Sequence, residues 1–209
     1  MTVVRNFLKA VFCAFIFYFL LQAPAFCQDS GEHYDRGIRH LYESQYGPAL
    51  VEFSKAVELA PFDARVYTTR GSLYNRLGEL RAALADLNKA IMLDPDLPEA
   101  FANRAQVYYN QAEYEKASED IEKTLSLDPQ LASAYLVRGL IHNVKREYIK
   151  AYNDLNKAKQ LFLIKNDKLG AKEAEDVLFI IGRNFIGLVL FVISIVVWLT
   201  RRLSSDGSS

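Results

Sequence analysis

Residues from about 31 to 159 repeat with a period of 34, and this repeat restricts the possible fold more than any other feature of the chain. In every copy an arginine is followed by a small residue, and a second small residue and a large apolar residue recur further on. Helix axes approach to about 8–10 Å only where side chains are small, so these columns predict close helix pairs. The columns are Arg36, Arg70, Arg104 and Arg138; Gly37, Gly71, Ala105 and Gly139; Ala49, Ala83, Ala117 and Ala151; and Phe53, Leu87, Ile121 and Leu155.

Three of the four copies end in a proline, which stops one helix before the next begins: Pro61, Pro95 and Pro129. The period and the columns resemble the tetratricopeptide repeat (TPR), a helix-turn-helix unit of 34 residues. This resemblance implies an all-α solenoid, wound as a right-handed superhelix, in which the first helix of each copy lines the concave side. The repeats are predicted within residues 30–163, at 30–63, 64–97, 98–131 and 132–165.

The copies predict first helices near 31–44, 64–77, 98–111 and 132–145, and second helices near 47–60, 80–93, 114–127 and 148–162. A single copy cannot bury its own apolar face, so the copies are expected to stabilise one another by stacking. On the geometry that the resemblance implies, ten residues of the middle copies form a candidate peptide-binding groove. They are polar apart from one aromatic ring and can bond an extended peptide, although a plain solvated face has the same composition. The ten are Arg65, Thr68, Thr69, Ser72, Asn75, Arg76, Asn103, Gln106, Tyr109 and Asn110.

Members of this family that bind heat-shock chaperones hold the chaperone's C-terminal carboxylate in a basic clamp. The matching columns here contain Tyr34 and Ile38 in the first copy, Thr69 in the second, and Glu99 and Asn103 in the third. None of these is the residue that the clamp requires at its place. No chaperone carboxylate clamp is therefore expected.

Residues 1–27 are predicted to be a secretory signal peptide, because two basic residues precede an apolar run that ends in small residues. Cleavage after Ala25 and cleavage after Cys27 both fit this pattern. The bulky Phe26 disfavours lipid attachment at Cys27. An uncleaved anchor is the other interpretation, since the apolar region approaches the roughly 20 residues that span a bilayer.

Residues 178–200 are predicted to form a transmembrane helix, because they are mostly apolar and two arginines follow them. The uncharged stretch 185–200 alone covers about 24 Å at about 1.5 Å per residue, and the apolar residues before it extend this towards the roughly 30 Å of a hydrocarbon core. A buried soluble helix is the alternative. Residues 164–177 are assigned to a juxtamembrane cap or linker, and residues 201–209 to a short cytoplasmic tail.

The leader implies that the repeats are exported, so we expect a single-pass protein of the bacterial inner membrane whose repeats face the periplasm. A eukaryotic secretory-pathway membrane is less favoured, because the chain has no Asn-x-Ser/Thr acceptor site. The basic residues of the exported flank oppose this topology under the positive-inside tendency. Three of them, Lys165, Lys168 and Lys172, are expected to lie near lipid head groups.

Both cysteines, Cys13 and Cys27, lie in the leader, which leaves the repeats without a disulfide, a thiol nucleophile or a thiolate ligand. The remaining residues assemble no catalytic set, metal site or cofactor site, so an enzyme is not expected. A net charge of zero does not indicate a nucleic-acid partner. Sixteen residues after each arginine of the column comes an acid, which predicts an ion pair within each copy: Glu52, Asp86, Asp120 and Asp154.

Two functions fit these observations. The first is a membrane-anchored scaffold or adaptor that binds a peptide or protein segment in its concave groove. The second is a structural or assembly subunit of a membrane complex that contacts its partners through apolar end copies and the transmembrane helix. The apolar face of the fourth copy, which includes Leu136 and Leu140, is either such a contact or, as we favour, the surface on which a capping helix folds back.

Overall fold

The computed structural model describes residues 29–183 and 195–196, and every regular element among them is helical. Each copy contributes two helices within two residues of their expected bounds, and one further helix follows the fourth copy. The described part of α1 covers residues 29–42, followed by α2 (Tyr46–Leu59), α3 (Ala64–Arg76), α4 (Leu80–Leu93), α5 (Pro98–Asn110), α6 (Tyr114–Leu127), α7 (Ala132–Val144), α8 (Tyr148–Ile164) and α9 (168–183).

The described residues fall in two compact units, one ending at Val107 and the other beginning at Tyr108. The first unit contains α1 to α4 and most of α5. The second contains the end of α5 and α6 to α9.

A residue with positive φ lies in the turn between the two helices of each copy, and these four residues repeat with the period of the sequence. Next to them, Glu79 N donates to Tyr74 O and Glu147 N donates to His142 O, each at 2.9 Å. Such bonds satisfy carbonyl groups that the end of a helix would otherwise leave unpaired. The left-handed conformation is free of strain only for the glycine among the four, which are Ser44, Gly78, Ala112 and Arg146.

The small column lies where the two helices of a copy approach each other, as the sequence predicts. A Cβ placed on Gly71 would lie 2.9 Å from Leu87 Cγ and 3.3 Å from Ala83 O. The fourth copy is built in the same way, since a Cβ on Gly139 would lie 2.7 Å from Leu155 Cγ. Glycine is therefore required in these two copies to keep the large column in place beneath the first helix.

Helix α9 caps the fourth copy. It runs antiparallel to α8: Lys159 Nζ donates to Glu175 Oε1 at 2.8 Å, and Gly170 faces the ring of Phe162. Buried residues of α9 join the core of the fourth copy, and partly buried ones cover the apolar face of α7. This confirms the expected capping helix. The core cluster comprises Leu136, Ala151, Leu155, Ala158, Ala174 and Ile181, with Tyr135, Leu140, Tyr148, Phe162, Val177 and Leu178 packed against it.

The cap extends further along the chain than the boundary drawn from the sequence. Leu178 and Ile181, assigned from the sequence to the transmembrane segment, belong to α9 and pack on the fourth copy. Among the described residues, no helix combines the length and apolar character needed to cross a bilayer. The predicted leader (1–27), most of the predicted transmembrane segment and the predicted tail lie outside the described residues.

Candidate functional site

In the first unit, α3, which carries six of the predicted groove residues, contacts α1. The hydroxyl of Tyr34 on α1 lies 3.1 Å from Thr69 Oγ1 on α3. The Tyr34 ring also packs against the Phe53 ring, with 5.7 Å between the ring centroids. These two contacts fix the orientation of Tyr34, and we refer to the surface around it as the α1–α3 face.

A cavity of about 290 Å³ opens on the α1–α3 face. Asp63 closes one side of it and caps α3, since Asp63 Oδ1 accepts from the backbone N of Arg65 at 2.9 Å. The Arg65 guanidinium folds back on the same carboxylate, with Nη2 2.9 Å from Oδ2. The side-chain bond from Arg65 holds the pKa of Asp63 below its usual value, so this carboxylate is charged at neutral pH. The cavity is lined by Ser30, Gly31, Tyr34, Asp35, Asp63, Arg65 and Val66.

The two neighbouring threonines of α3 have different surroundings. Thr69 is half-buried, donates to Arg65 O at 3.0 Å and contacts Tyr34 on the α1–α3 face. Thr68 is only 6% exposed, and its hydroxyl donates to Ala64 O at 2.8 Å. The prediction that Thr68 lines the groove is therefore wrong, because its side chain points into the protein.

The other predicted groove residues of the first unit lie at least partly at the surface. Arg65 and Arg76 are exposed, and Ser72, Asn75, Asn103 and Gln106 are half-buried. The Arg76 guanidinium lies 5.8 Å from the centroid of the Tyr46 ring. Its bond to the Tyr46 hydroxyl lowers the pKa of that phenol.

The last two predicted groove residues, Tyr109 and Asn110, belong to the second unit. Tyr109 is half-buried, with its ring 5.8 Å from that of Tyr114. Burial raises the pKa of Tyr109, so its hydroxyl is neutral and can both donate and accept a hydrogen bond. Asn110 is exposed at the end of α5.

Two sequence profiles match the chain. Residues 71–112 match one described as TPR repeat, and residues 98–131 match one described as tetratricopeptide repeat. The chain contains tetratricopeptide repeats. Domains built from this repeat are typically non-catalytic protein-interaction scaffolds.

Solved structures, among them TPR domains, share this fold. The TPR domain of Arabidopsis OM64 is 21% identical with a TM-score of 0.54, over 56% of this chain and 98% of that one. A crystal structure of MamA is 27% identical with a TM-score of 0.54, over 66% of this chain and 81% of that one. The first TPR of Spaghetti (RPAP3), bound to the HSP90 peptide SRMEEVD, is 22% identical with a TM-score of 0.53, over 58% of this chain and 94% of that one. No curated protein matches this chain.

The arginine column forms the ion pairs that the sequence predicts in the first, second and fourth copies. In each of these copies the arginine and its acid belong to the same compact unit. Arg36 Nε lies 2.8 Å from Glu52 Oε2, Arg70 Nε 2.7 Å from Asp86 Oδ2, and Arg138 Nη2 2.7 Å from Asp154 Oδ1. These pairs join the two helices of a copy and are structural. Within the described residues, no group of three His, Cys, Asp or Glu side chains is placed to hold a metal ion.

Several residues of the cavity were absent from the predicted groove. Asp63 and Asp35 supply its carboxylates, and Ser30 and Gly31 form its wall on α1. The position of Asp63 just before α3 was a usable signal, because an aspartate there commonly caps a helix. Asp35 occupies the same column of the first copy as Thr69 does in the second, whereas the predicted groove residues belong to the middle copies alone.

Proposed function

We propose that this protein is a membrane-anchored TPR scaffold or adaptor that binds a peptide or protein segment on the α1–α3 face. The cavity beside Tyr34, Asp35 and Arg65 is the observation that carries the proposal. It presents a hydroxyl, two carboxylates and a guanidinium on two helices whose relative position the Tyr34–Thr69 bond fixes. A preorganised polar surface of this kind suits an extended segment, which supplies both backbone groups and side chains.

Peptide binding is found among structures with the same fold. The first and second TPR of Spaghetti (RPAP3) are each bound to the HSP90 peptide SRMEEVD, with TM-scores to this chain of 0.53 and 0.50. The partner proposed here differs, because the clamp columns contain Tyr34 and Thr69. These two side chains bond each other, and neither carries the positive charge that a terminal carboxylate needs. A segment with internal polar side chains fits the cavity better.

The anchor is proposed to lie within residues 184–200, and the repeats are proposed to be exported. The support is the sequence: a leader with a basic start and an apolar run, and a second apolar segment near the C-terminus followed by two arginines. A bacterial inner membrane with the repeats in the periplasm remains the favoured location. The scaffold would then hold its partner close to the membrane surface.

A structural or assembly subunit of a membrane complex is the second candidate. The exposed side chains of Ile149 on α8 and Phe179 on α9 favour it, because large apolar groups in contact with water often mark an interface. In that case the α1–α3 face would be empty, and the contacts would lie on the second unit. Leu140 is not a suitable probe for this, since it packs against the core that α9 completes.

Site-specific photo-crosslinking in the native membrane separates the two candidates. A photoreactive residue replaces Asn103 in one variant and Ile149 in another, both in the full chain. The scaffold predicts a partner adduct from position 103 and the complex subunit predicts one from position 149.

Two neighbouring threonines provide the matched variants for this experiment. Thr69→Val removes a hydroxyl from the α1–α3 face and should weaken the adduct from position 103, since one hydrogen bond contributes about 1 kcal/mol, or about fivefold in affinity. Thr68→Val removes a hydroxyl that points inward and should leave the adduct unchanged. An adduct that is insensitive to Thr69→Val and Asp35→Asn would show that the partner does not use the α1–α3 face.

A further inference from the structure

We propose that one end of the α8–α9 hairpin rests on the surface of an anionic lipid bilayer. This end, which we term the proximal tip, consists of residues 144–152 and 179–183. The inference rests on the proposed anchor in residues 184–200. It goes beyond that anchor because it assigns a surface of the folded repeats to the membrane and thereby fixes which way the second unit points.

The antiparallel course of α8 and α9 defines two distinct ends of the hairpin. Tyr148 and Tyr152, at the start of α8, meet Ile181 and Gly182, at the end of α9. At the other end, Phe162 contacts Gly170 beside the turn at residues 165–167. The fourteen residues from 168 to 181 make the hairpin about 20 Å long at about 1.5 Å of rise per residue.

The proximal tip presents apolar side chains to solvent. A cavity of about 290 Å³ lies between the two helices, lined almost entirely by carbon and formed by Tyr148, Ile149, Tyr152, Ile181 and Gly182. Ile149 is 80% exposed, and Phe179, one helical turn before Gly182, is 69% exposed. An aliphatic group beside tyrosine rings, which carry a polar end on an apolar body, is typical of the interfacial layer of a bilayer.

The rim of the proximal tip is basic. Four basic residues, Lys145, Arg146, Lys150 and Arg183, are exposed there. Two carboxylates oppose them: Glu147, 3.2 Å from Lys150, and Glu115, 3.8 Å from Lys145. The difference, four minus two, is a net charge of +2, which favours anionic head groups around the apolar centre.

The course of the chain identifies the bilayer as the occupant of this surface. Gly182 lines the cavity, and the uncharged stretch 185–200 begins three residues later. Three residues span at most about 10 Å, so an anchor in that stretch would bring the bilayer surface to the proximal tip. Among the described residues of the second unit that precede this stretch, no other exposed surface is this close along the chain to residue 185.

The same geometry changes the expectation for Lys165 and Lys168. They lie at the opposite end of the hairpin, about 20 Å from the proximal tip, which is more than two Debye lengths at a physiological ionic strength, where one is about 8 Å. Their attraction to head groups would be screened. The basic residues that meet the lipid are therefore Lys145, Arg146 and Lys150, rather than the lysines around the α8–α9 turn.

Two isoleucines of α8 provide a matched test. Ile149 is 80% exposed and Ile164 is 79% exposed, and they lie at opposite ends of one helix. Each is replaced by cysteine in a full chain that carries Cys13→Ser and Cys27→Ser, and each is labelled with an environment-sensitive fluorophore. The labelled chains are reconstituted in vesicles of phosphatidylglycerol and phosphatidylcholine, and the quenching of each label is measured both with neutral acrylamide and with lipids that carry a nitroxide on the head group.

The label at position 149 should be shielded from acrylamide severalfold relative to the label at position 164, and lipids that carry a nitroxide on the head group should quench the label at position 149 but not the one at position 164. Equal quenching at the two positions in vesicles overturns the inference. Shielding at position 149 without quenching by the nitroxide lipids also overturns it, because a protein, whether a second copy or a partner, would then cover the tip.

Trp198, the single tryptophan, reports separately on the anchor. Lipids brominated in their acyl chains should quench it. If Trp198 is quenched but acrylamide quenches the labels at positions 149 and 164 equally, the anchor is retained and the docking of the proximal tip is rejected. If Trp198 is not quenched and the chains do not float with the vesicles, both the anchor and the docking of the proximal tip are rejected.

A second pair of variants tests the charge. Lys145→Gln, Arg146→Gln and Lys150→Gln together should shift the docked-to-undocked ratio about 100-fold towards the undocked state, since each basic residue near an anionic surface contributes roughly a factor of five. The shielding of position 149 should then disappear. The matched triple Lys165→Gln, Lys168→Gln and Lys172→Gln should keep it. Equal shielding in the two triple variants contradicts the electrostatic part of the inference.

Discussion

Arg70 and Asp86 form a two-point ion pair that joins α3 to α4 in the second copy. Arg70 Nε lies 2.7 Å from Asp86 Oδ2, and Nη2 lies 2.8 Å from Oδ1. The bond to Asp86 raises the pKa of Arg70 above its usual value, so the guanidinium is always charged. Tyr67 and Tyr74 flank the guanidinium, with ring centroids 5.8 and 5.9 Å from Cζ. The pair is thus screened from water on two sides by rings that belong to its own helix.

Replacing Asp86 by Ala should destabilise the protein by about 2–4 kcal/mol, since it leaves a largely buried guanidinium without its partner. The double variant Arg70→Leu with Asp86→Ala should recover part of this loss, because no unpaired charge remains. The measurement is urea unfolding followed by circular dichroism. The matched control is Arg65→Ala, which removes an exposed pair and should cost less than about 1 kcal/mol. If Asp86→Ala and Arg65→Ala had equal effects, the column would have no structural role.

A second prediction concerns the small column. Gly139→Ala should destabilise the fourth copy by about 1–3 kcal/mol, because the new methyl group would meet Leu155 Cγ at 2.7 Å and must displace it. Gly31→Ala, within α1, meets no atom within 4 Å and should stabilise the protein by about 0.5–1 kcal/mol through helix propensity. The free energy of unfolding of the two variants should therefore move in opposite directions. A stabilising Gly139→Ala would contradict the close approach of α7 and α8.

The helices could be predicted from the sequence because each copy carries the same local signals. A small column, a large column and a proline recur at fixed places, and each acts on its own helix or on the helix beside it. The ion pairs were predictable for the same reason, since Arg70 and Asp86 are separated by the spacing that recurs in all copies.

The end of α9 could not be predicted in this way, because no repeated pattern of the sequence covers it. An apolar stretch such as Leu178 to Ile181 suits both a bilayer and an uncovered protein face, and only the packing on Leu136 decides between them.

The candidate site was only partly predictable, and Thr68 shows the reason. The groove columns follow from the geometry that the family resemblance implies, and that geometry does not include the packing of this particular chain. The equivalent residues of the next two copies, Ala102 and Leu136, are apolar and are likewise buried, at 2% and 5% exposure. The apolar character of Ala102 and Leu136 indicates that the side chains of this column point into the protein. The predicted groove does not include the cavity, because the carboxylates of the cavity come from α1 and from the turn before α3, outside the middle copies.

A third prediction follows from the charge environment of Glu52. Bonds from Arg36 and His33 lower the pKa of Glu52 to about 2, from an ordinary value of 4.5. A carboxyl group whose pKa is depressed by folding contributes stability above its unfolded pKa and loses that contribution as the pH falls towards the folded value. The first copy should therefore lose stability between about pH 5 and pH 2.

Urea unfolding at a series of pH values between 6 and 2.5 tests this window. The Glu52→Gln variant has no carboxyl group at position 52 to take up a proton in this pH range. Its stability should therefore fall less steeply with decreasing pH than that of the parent. Glu58→Gln, an exposed carboxyl on the same helix, is the matched control and should follow the parent. Parallel pH profiles for Glu52→Gln and the parent would show that the pair with Arg36 does not form in solution.

The last prediction concerns how much of α9 the repeats need. A chain of residues 29–183 keeps Val177, Leu178 and Ile181, which pack on the core of the fourth copy, whereas a chain of residues 29–176 lacks them. Burying one large aliphatic side chain contributes about 1.5–3 kcal/mol, so the longer chain should be more stable by about 3–6 kcal/mol. Circular dichroism during urea unfolding measures this difference without detergent.

Phe179→Ala and Ile180→Ala in the longer chain are the controls for the loss of apolar area by itself. Both side chains are exposed, and their removal should cost less than about 1 kcal/mol. Equal stability of the two chains would mean that residues 177–183 do not cap the fourth copy, and the apolar faces of Leu136 and Leu140 would then need another cover.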